Sequence, residues 1–138
     1  MIVQGLTLTF KQELFTATHD LTTDVIKIAL YDSDADLSPS TTTYSATNEV
    51  SGTGYSAGGE TLTGAAITVA SGKVIVDFDD VTWASSTITA RGALIYNSSK
   101  SDKSIMVLDF GSDRTSNASD FPVRFPNPTA TEAIIRMA

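Results

Sequence analysis

The chain lacks the residues from which most catalytic and metal sites are built. Among its 138 residues there is no cysteine and only one histidine. Without cysteine there are no disulfides and no thiolate metal ligands, and one histidine leaves few metal or acid–base constellations. The length predicts a single domain spanning residues 1–138. A chain of this size buries about two thirds of its unfolded surface, so its core can stabilise the fold without disulfides or a structural metal ion.

Positive charge and long apolar runs are also scarce. The net charge of −7 argues against a surface that follows nucleic-acid phosphates, and it favours a well-solvated protein or one that docks on a basic partner. No apolar run approaches the ~20 residues that cross a bilayer. The first ten residues, MIVQGLTLTF, lack the basic region and cleavage pattern of a signal peptide. We therefore expect folding in a cytoplasm, with no nucleic-acid or membrane partner.

The longest strand pattern lies in residues 79–97, DDVTWASSTITARGALIYN, which also hold the single tryptophan. Trp83 is predicted to anchor the core, with stacking on a sugar as the alternative. Residues 84–86 are predicted to form a turn. From residue 87 the pattern has a period of two, with Arg91 on a mixed face. The wholly apolar face comprises Ile88, Ala90, Gly92, Leu94 and Tyr96. Such a strand belongs inside a sheet.

Further alternating segments predict about eight antiparallel strands with turns about every ten residues. These segments cover residues 24–31, the region from 62 to 69, and residues 73–78, 105–110, 121–125 and 133–137. The side chains predicted to face the core include Ile26, Ile28, Leu30, Val74, Val76 and Phe78. Ala29 and Ile75 are predicted to face away from it. The prolines in 121–125 and beside it predict an edge strand.

One short helix is predicted near the N-terminus. Thr9 and Gln12 fit a capping box, and Phe10, Leu14 and Ala17 then share one helical face before an end near residue 19. Together the elements predict an all-β fold, an antiparallel β-sandwich of jelly-roll-like or immunoglobulin-like topology with one short N-terminal helix.

Three segments are candidates for contacts with other molecules. Residues 32–60 form a long loop, a kind of segment that is usually functional or contact-forming, and Val50 and Tyr55 are predicted to pin it to the body. Residues 1–8 form either a strand of the protein's own sheet or an arm that reaches a neighbouring subunit. Residues 111–120 form a second polar loop. Arg91 and Arg124 lie mid-strand on non-core faces, where they pair with acids inside the sheet or across a subunit interface.

The acidic loop that starts at Asp32 has the spacing of a calcium-binding loop, with Asp34 and Asp36 following. It fails as an EF-hand because the sixth position is Leu37 rather than glycine and the twelfth is Thr43 rather than glutamate. A solvated acidic loop or a surface calcium site of another kind remains, and we predict no metal site.

No pattern predicts an enzyme. Asp77, Asp79 and Asp80 place carboxylates near a strand end, and paired carboxylates can hydrolyse glycosides, but such residues usually face solvent. His19 precedes Asp20, yet none of the serines lies in a nucleophile elbow. We therefore expect His19 to cap the helix or lie on the surface, and we predict no catalytic residue and no cofactor.

The series LTTDVIKIALYDSDADLSP, TNEVSGTGYSAGGETLTG and VIVDFDDVTWASSTITARGALIYN, in that order, resembles a family of small structural proteins of tailed bacteriophages. The resemblance runs from about residue 10 to the C-terminus. It implies a virion structural protein and brings no catalytic residues with it, and it does not assign head or tail. One departure is Gly92 with Ala93, where bulkier residues are expected and where the packing is predicted to be thinner.

The resemblance and the composition together favour a capsid decoration or cement protein, a homo-oligomer such as a trimer. It would bind the major capsid protein or other virion proteins and become part of the virion. The predicted contact residues are Ile2, Val3, Leu6, Leu37, Tyr44, Val50, Tyr55, Arg91 and Arg124. The alternative function is a receptor-binding or tail-fibre module whose loops recognise a host glycan.

Overall fold

A computed structural model describes residues 1–138, of which 43% lie in strands and 5% in the single helix. The elements are β1 (Gly5–Leu6), α1 (Leu8–Leu14), β2 (Ile26–Tyr31), β3 (Glu60–Thr61), β4 (Ala66–Ala70), β5 (Lys73–Asp77), β6 (Val81–Ser86), β7 (Thr89–Asn97), β8 (Lys103–Thr115), β9 (Ser119–Val123) and β10 (Ile135–Met137). The mostly-β content with one short helix confirms the predicted fold class.

The strands form one large sheet and two small ones. The main sheet has the order β1-β8-β7-β2-β3, and the small sheets are β10-β5-β4 and β6-β9. Every pairing between strands is antiparallel. β7 lies in the middle of the main sheet between β2 and β8, as its one apolar and one mixed face predicted. The second layer consists of two separate pieces rather than one continuous sheet.

The main sheet is covered on both faces. A cluster of 20 buried residues, including Ile28, Trp83 and Ile95, fills the space between it and the small sheets. A cluster of eight, including Tyr31, Leu94 and Tyr96, lies on its other face. Trp83 is 1% exposed, which confirms the prediction that it anchors the core and excludes the sugar-stacking alternative.

An irregularity in the pairing at Arg91 overturns the single apolar face predicted for β7. Ala90 pairs with Arg114 of β8 and Gly92 pairs with Asp109, so one residue of β7 lies opposite four of β8, and the side chains of β7 beyond this point change face. Ile88 and Ala90 therefore lie in the larger cluster, whereas Leu94 and Tyr96 lie in the smaller one.

The small residue at position 92 does not thin the packing as predicted. A Cβ on Gly92 would lie 2.9 Å from the Cδ1 atom of Ile2 and 2.5 Å from the carbonyl oxygen of Leu108. The isoleucine side chain, which is itself buried, therefore occupies the space that a larger residue at position 92 would need.

Three face assignments were wrong, and that of Ala29 was wrong because the alternation does not show a second covering layer. Ala29 is fully buried under the smaller cluster instead of facing outward. Ile75 is 1% exposed, whereas Val74, predicted to face inward, is 42% exposed. The inward assignments of Ile26, Ile28, Leu30, Val76 and Phe78 are confirmed.

The helix begins two residues earlier than predicted. Thr7, not Thr9, is its N-cap, and the Thr7 hydroxyl accepts a hydrogen bond from the backbone N–H of Phe10. Phe10 is buried, as predicted. The helix ends at Leu14 rather than near residue 19, and Ala17 adopts a left-handed φ of 56° that no helix continues through.

Two predicted loops are partly strand. β6 continues through residues 84–86, and its irregularity lies at Ser85, with φ of 50°. Residues 111–115 belong to the end of β8. β9 pairs only with β6, so the prediction of an edge strand is confirmed. Arg124 lies one residue beyond β9 instead of mid-strand.

Candidate interaction surfaces

Residues 32–59, here called the covering loop, lie over the outer face of the main sheet. The loop has almost no regular structure, but its backbone is bonded to the body at several points. The N–H of Val50 donates to the Leu30 carbonyl, and the N–H of Tyr44 donates to the Asp102 carbonyl. An isolated parallel bridge joins Leu37 to Ile2. The loop is therefore a second covering layer of the fold.

Glu49 is the hydrogen-bonding centre of the covering loop. Its carboxylate accepts from the hydroxyls of Tyr44 and Tyr55, both at 2.6 Å, and from the backbone N–H of Gly58 at 2.7 Å. The Tyr55 oxygen in turn accepts from the backbone N–H of Leu30 in β2 at 2.9 Å. Hydrogen bonds to a charged acceptor are short and strong, so one carboxylate ties three loop positions together.

Tyrosines form the contact between this loop and the sheet. The ring of Tyr44 stacks on Tyr96 of β7 at 4.8 Å between centroids. The Tyr96 hydroxyl donates to the Gly58 carbonyl at 2.6 Å, and the Tyr31 hydroxyl donates to the Ser45 carbonyl at 2.7 Å. Burial, with Asp102 and Glu49 nearby, raises the pKa of Tyr96 to about 12, so this donor keeps its proton well above neutral pH.

At one point the backbone of the covering loop lies so close to the sheet that no side chain fits between them. Gly59 has φ of 76°, and a Cβ there would overlap the carbonyl oxygen of Ile28 in β2. Only glycine combines this left-handed conformation with so close a backbone approach.

The structure buries several predicted contact residues in the chain's own body. Ile2, Leu37 and Val50 are 7–8% exposed, so they hold the covering loop and the N-terminal segment in place instead of presenting a surface. Leu6 in β1 pairs with Met106 of β8, so residues 1–8 follow the strand alternative and do not extend as an arm.

The remaining predicted contacts divide between anchors and exposed groups. Tyr44 and Tyr55 are half-buried anchors, as was predicted for Tyr55, while Val3 is 42% exposed. Arg91 donates from Nε to Asp109 at 3.1 Å within the sheet. Two hydrogen bonds lower the pKa of the Asp109 carboxyl: the larger effect comes from the backbone N–H of Gly111, and the next from Arg91. Arg124 is exposed and forms no ion pair, so among the arginines predicted as contacts it is the one free to meet a partner.

His19 is neither a helix cap nor a surface residue. Its side chain is fully buried against Phe10, with ring centroids 5.0 Å apart. Nε2 lies 3.1 Å from the Glu13 carboxylate and Nδ1 lies 3.0 Å from the Asn97 amide, and Lys103 lies 3.0 Å from the same carboxylate. Burial acts to raise the pKa of Glu13, but the hydrogen bonds from His19 and Lys103 outweigh it and lower the pKa.

Three of the acidic groups considered for catalysis or calcium form hydrogen bonds within the fold. Asp80 accepts from the N–H of Phe125, Asp79 accepts from the Thr63 hydroxyl, and Asp32 accepts from the N–H of Asp34. No group of three or more acidic, histidine or cysteine side chains is arranged to hold a metal ion.

A polar groove of about 330 Å³ lies at one end of the covering loop. Carboxylates and hydroxyls dominate its lining, which includes Asp32, Glu49, Ser51, Thr87, Thr89 and Thr115. No aromatic ring lines it, so it offers no platform on which a sugar could stack.

A second surface is apolar. Residues 66–77, here called the edge hairpin, comprise β4, a two-residue turn and β5. Ile67, Val69 and Val74 are 47%, 77% and 42% exposed. Beside them an apolar groove of about 380 Å³ runs between the hairpin and the end of α1, with Leu14 and Met137 in its lining. Sequence alternation missed this surface because it assigned Val74 to the core.

Comparisons with protein-family models, with curated proteins and with solved structures found no match to this chain. The one helix has seven residues, and nothing helical in the fold has the length and apolar character that a bilayer crossing requires.

Proposed function

We propose that this protein is a virion structural protein of a tailed bacteriophage, a capsid decoration protein that binds as a homo-oligomer over junctions between major capsid subunits. The observation that supports this best is the fixed covering loop. Its exposed residues include Ser40, Thr43, Ala46 and Thr47, and the hydrogen bonds that Glu49 accepts from Tyr44, Tyr55 and Gly58 fix the loop. A surface ordered before binding loses little conformational entropy on binding, which suits adhesion to a regular lattice.

Two further features favour the same function. Three segments of the chain, within residues 21–39, 47–64 and 74–97, resemble small virion proteins. That resemblance implies a structural role and no catalytic residues, which suits a protein that acts by adhesion. The net charge of −7 favours docking onto a basic surface. Adhesion alone would then be the mechanism: a protein that binds only the mature lattice stabilises that state by mass action.

The test is co-sedimentation of the purified protein with expanded heads that lack it. Ala46→Arg introduces a large cation at an exposed position of the covering loop, and we expect it to weaken head binding about tenfold or more. Gln12→Arg, on the exposed face of α1, is the matched control and should bind like the wild type. Wild-type protein that does not sediment with heads at high copy number would refute the proposal.

The alternative, a receptor-binding module, is favoured by the polar groove beside Glu49, whose hydroxyls and carboxylates could meet sugar hydroxyls. Immunogold labelling of the parent particle separates the two functions. Dense label over the head supports decoration. Label confined to the tail tip favours the receptor module, and binding of the protein to host surface polysaccharide would then be measured with Thr89→Ala as the groove variant.

A further inference from the structure

β4 is an unpaired edge of its sheet. The order β10-β5-β4 leaves one side of β4 without a neighbouring strand. All five of its residues pair with β5, from Ala66 opposite Asp77 to Ala70 opposite Lys73. No turn, loop or side-chain hydrogen bond engages the backbone groups of β4. Its outer N–H and C=O groups are therefore free to pair with another strand.

The turn identifies which groups point outward. Ser71 and Gly72 have φ of 51° and 76°, the left-handed pair of a two-residue type I′ hairpin. Residues that flank such a turn exchange hydrogen bonds, and hydrogen-bonded and non-bonded pairs then alternate along the ladder. Ala66, Thr68 and Ala70 thus bond to β5, while the N–H and C=O groups of Ile67 and Val69 point to the free edge.

This edge carries none of the features that usually keep edges from pairing. Natural edge strands are protected by charges, prolines, bulges or a covering element. β4 has the sequence AITVA, without charge or proline, and its ladder with β5 has no register shift. Its large exposed side chains, Ile67 and Val69, are apolar and are 47% and 77% exposed. An edge of this kind is suited to a permanent strand partner.

The sequence of β4 specifies a second copy of itself as that partner. It has the same character in both directions: alanine, a β-branched aliphatic residue, threonine, a β-branched aliphatic residue, alanine. Antiparallel pairing about a two-fold axis at Thr68 places Ile67 opposite Val69 of the second copy and Ala66 opposite its Ala70. The outward-pointing residues then face each other and exchange four backbone hydrogen bonds, and β-branched pairs meet across the strands.

We propose that two copies of this chain associate through their β4 strands, antiparallel and centred on Thr68, to form one continuous six-stranded sheet. The contact is isologous, so each copy contributes the same surface. It joins the apolar faces of the two hairpins, where Ile67, Val69 and Val74 lie on the same side of the sheet because they are cross-strand or alternate neighbours.

The inference rests on the homo-oligomer in the proposed function and deepens it, because a two-fold contact favours dimers or larger even-numbered assemblies over a trimer. It is tested on the free protein without any virion component. Failure of this contact therefore leaves head binding through the covering loop unaffected, and failure of head binding leaves the dimer intact.

The first test uses the absence of native cysteine. Thr68 would face its own copy as a non-hydrogen-bonded pair with Cα atoms about 4.5 Å apart, inside the roughly 4.4–6.8 Å range that a disulfide spans. Thr68→Cys should therefore form a covalent dimer under mild oxidation. Ala66→Cys, on the same strand and face but opposite Ala70, should cross-link at least about tenfold more slowly. Equal rates for the two variants would overturn the proposed register.

The second test measures mass in solution by light scattering over a concentration series. The wild type should move toward twice its 14.6 kDa mass. Thr68→Lys, which places two like charges at the axis, should weaken dimerisation about tenfold or more, and mixing it with Thr68→Glu should restore a dimer. Thr82→Lys, at an exposed strand threonine in β6, is the control. A wild type that stays monomeric, or a dimer insensitive to Thr68→Lys, would overturn the proposal, and circular dichroism verifies that each variant is folded.

Discussion

The covering loop and the edge hairpin differ in a way that secondary structure alone would not suggest. The hairpin is regular, with a five-residue ladder and a two-residue turn, yet it leaves three large apolar side chains and a strand edge exposed. The covering loop is irregular, yet Val50 is buried and the carboxylate of Glu49 accepts three hydrogen bonds. Regular backbone geometry and complete bonding are therefore separate properties in this fold.

The difference has a physical origin in where each region finds its hydrogen bonds. The covering loop obtains them from buried side chains and from the adjoining backbone of β2, so they are shielded from water and cooperate in one network. In the edge hairpin, β4 obtains them only from β5, along an edge that is open to water, and β5 pairs on its other side with the three residues of β10. Small substitutions in the covering loop are thus expected to lower the free energy of unfolding strongly. Those in the edge hairpin should lower it weakly, unless a second copy covers the hairpin.

The largest contrast should come from two glycines with the same φ of 76°. At Gly59 an added Cβ would overlap the Ile28 carbonyl, whereas at Gly72 nothing lies within 4 Å. Gly59→Ala should therefore lower the free energy of unfolding by roughly 3 kcal/mol or more, and Gly72→Ala by only the conformational cost of about 1–2 kcal/mol. Urea unfolding measures both, and equal losses would show that the loop does not rest on β2 as described.

A smaller loss is expected from removing the carboxylate at the centre of the loop. Glu49→Ala leaves two tyrosine hydroxyls and the Gly58 N–H without their acceptor, which should cost roughly 2–4 kcal/mol of unfolding free energy. Glu60→Ala, at an exposed position in β3, is the matched control and should change it by no more than about 0.5 kcal/mol. If the two glutamates behave alike in urea unfolding, the carboxylate is not the centre of the network.

The smallest effect appears only at alkaline pH. Burial raises the pKa of Tyr96 from the ordinary 10.0 of a tyrosine to about 12, and it also raises the pKa values of Tyr31, Tyr44 and Tyr55. An unfolded tyrosine therefore loses its proton first, so the stabilisation is complete below pH 10.0 and declines as pH rises toward about 12. The urea midpoint should fall over this range, and less so in Tyr96→Phe; a midpoint independent of pH there would contradict the network.

Amide hydrogen exchange should show the same contrast within one molecule. The edge hairpin contains no tyrosine, so alkaline titration should loosen the covering loop before it affects residues 66–77. Loss of protection in the hairpin first would reverse the comparison.

The strand pattern allowed much of this fold to be predicted, because alternation reports which side chains face a core. It identified β2, the buried tryptophan and the edge character of β9. It could not predict the register shift at Arg91, since a change in strand pairing does not interrupt an apolar run. Ala29 was assigned outward because a covering layer made from an irregular loop leaves no mark in the alternation of a six-residue strand.

The interaction surfaces were predicted less well, for a related reason. The loop was recognised as important, and Val50 and Tyr55 as its anchors, but the residues chosen for partner contacts were mostly apolar. Ile2, Leu37 and Val50 are buried because apolar side chains in irregular segments are the ones that attach them to the body. Glu49 was missed, although a carboxylate placed between Tyr44 and Tyr55 in the sequence is the available signal for the network.

The position of Trp83 has one further consequence. Its indole ring lies between Tyr55 of the covering loop, at 5.9 Å, and Phe121 of β9, at 6.2 Å, and it is the only tryptophan in the chain. The molecule therefore carries a single indole fluorophore, at the junction between its loop layer and its second sheet layer. Detachment of the loop would remove one side of that aromatic enclosure and let water reach the indole. A red shift in emission would then report loop release in the intact protein without any label.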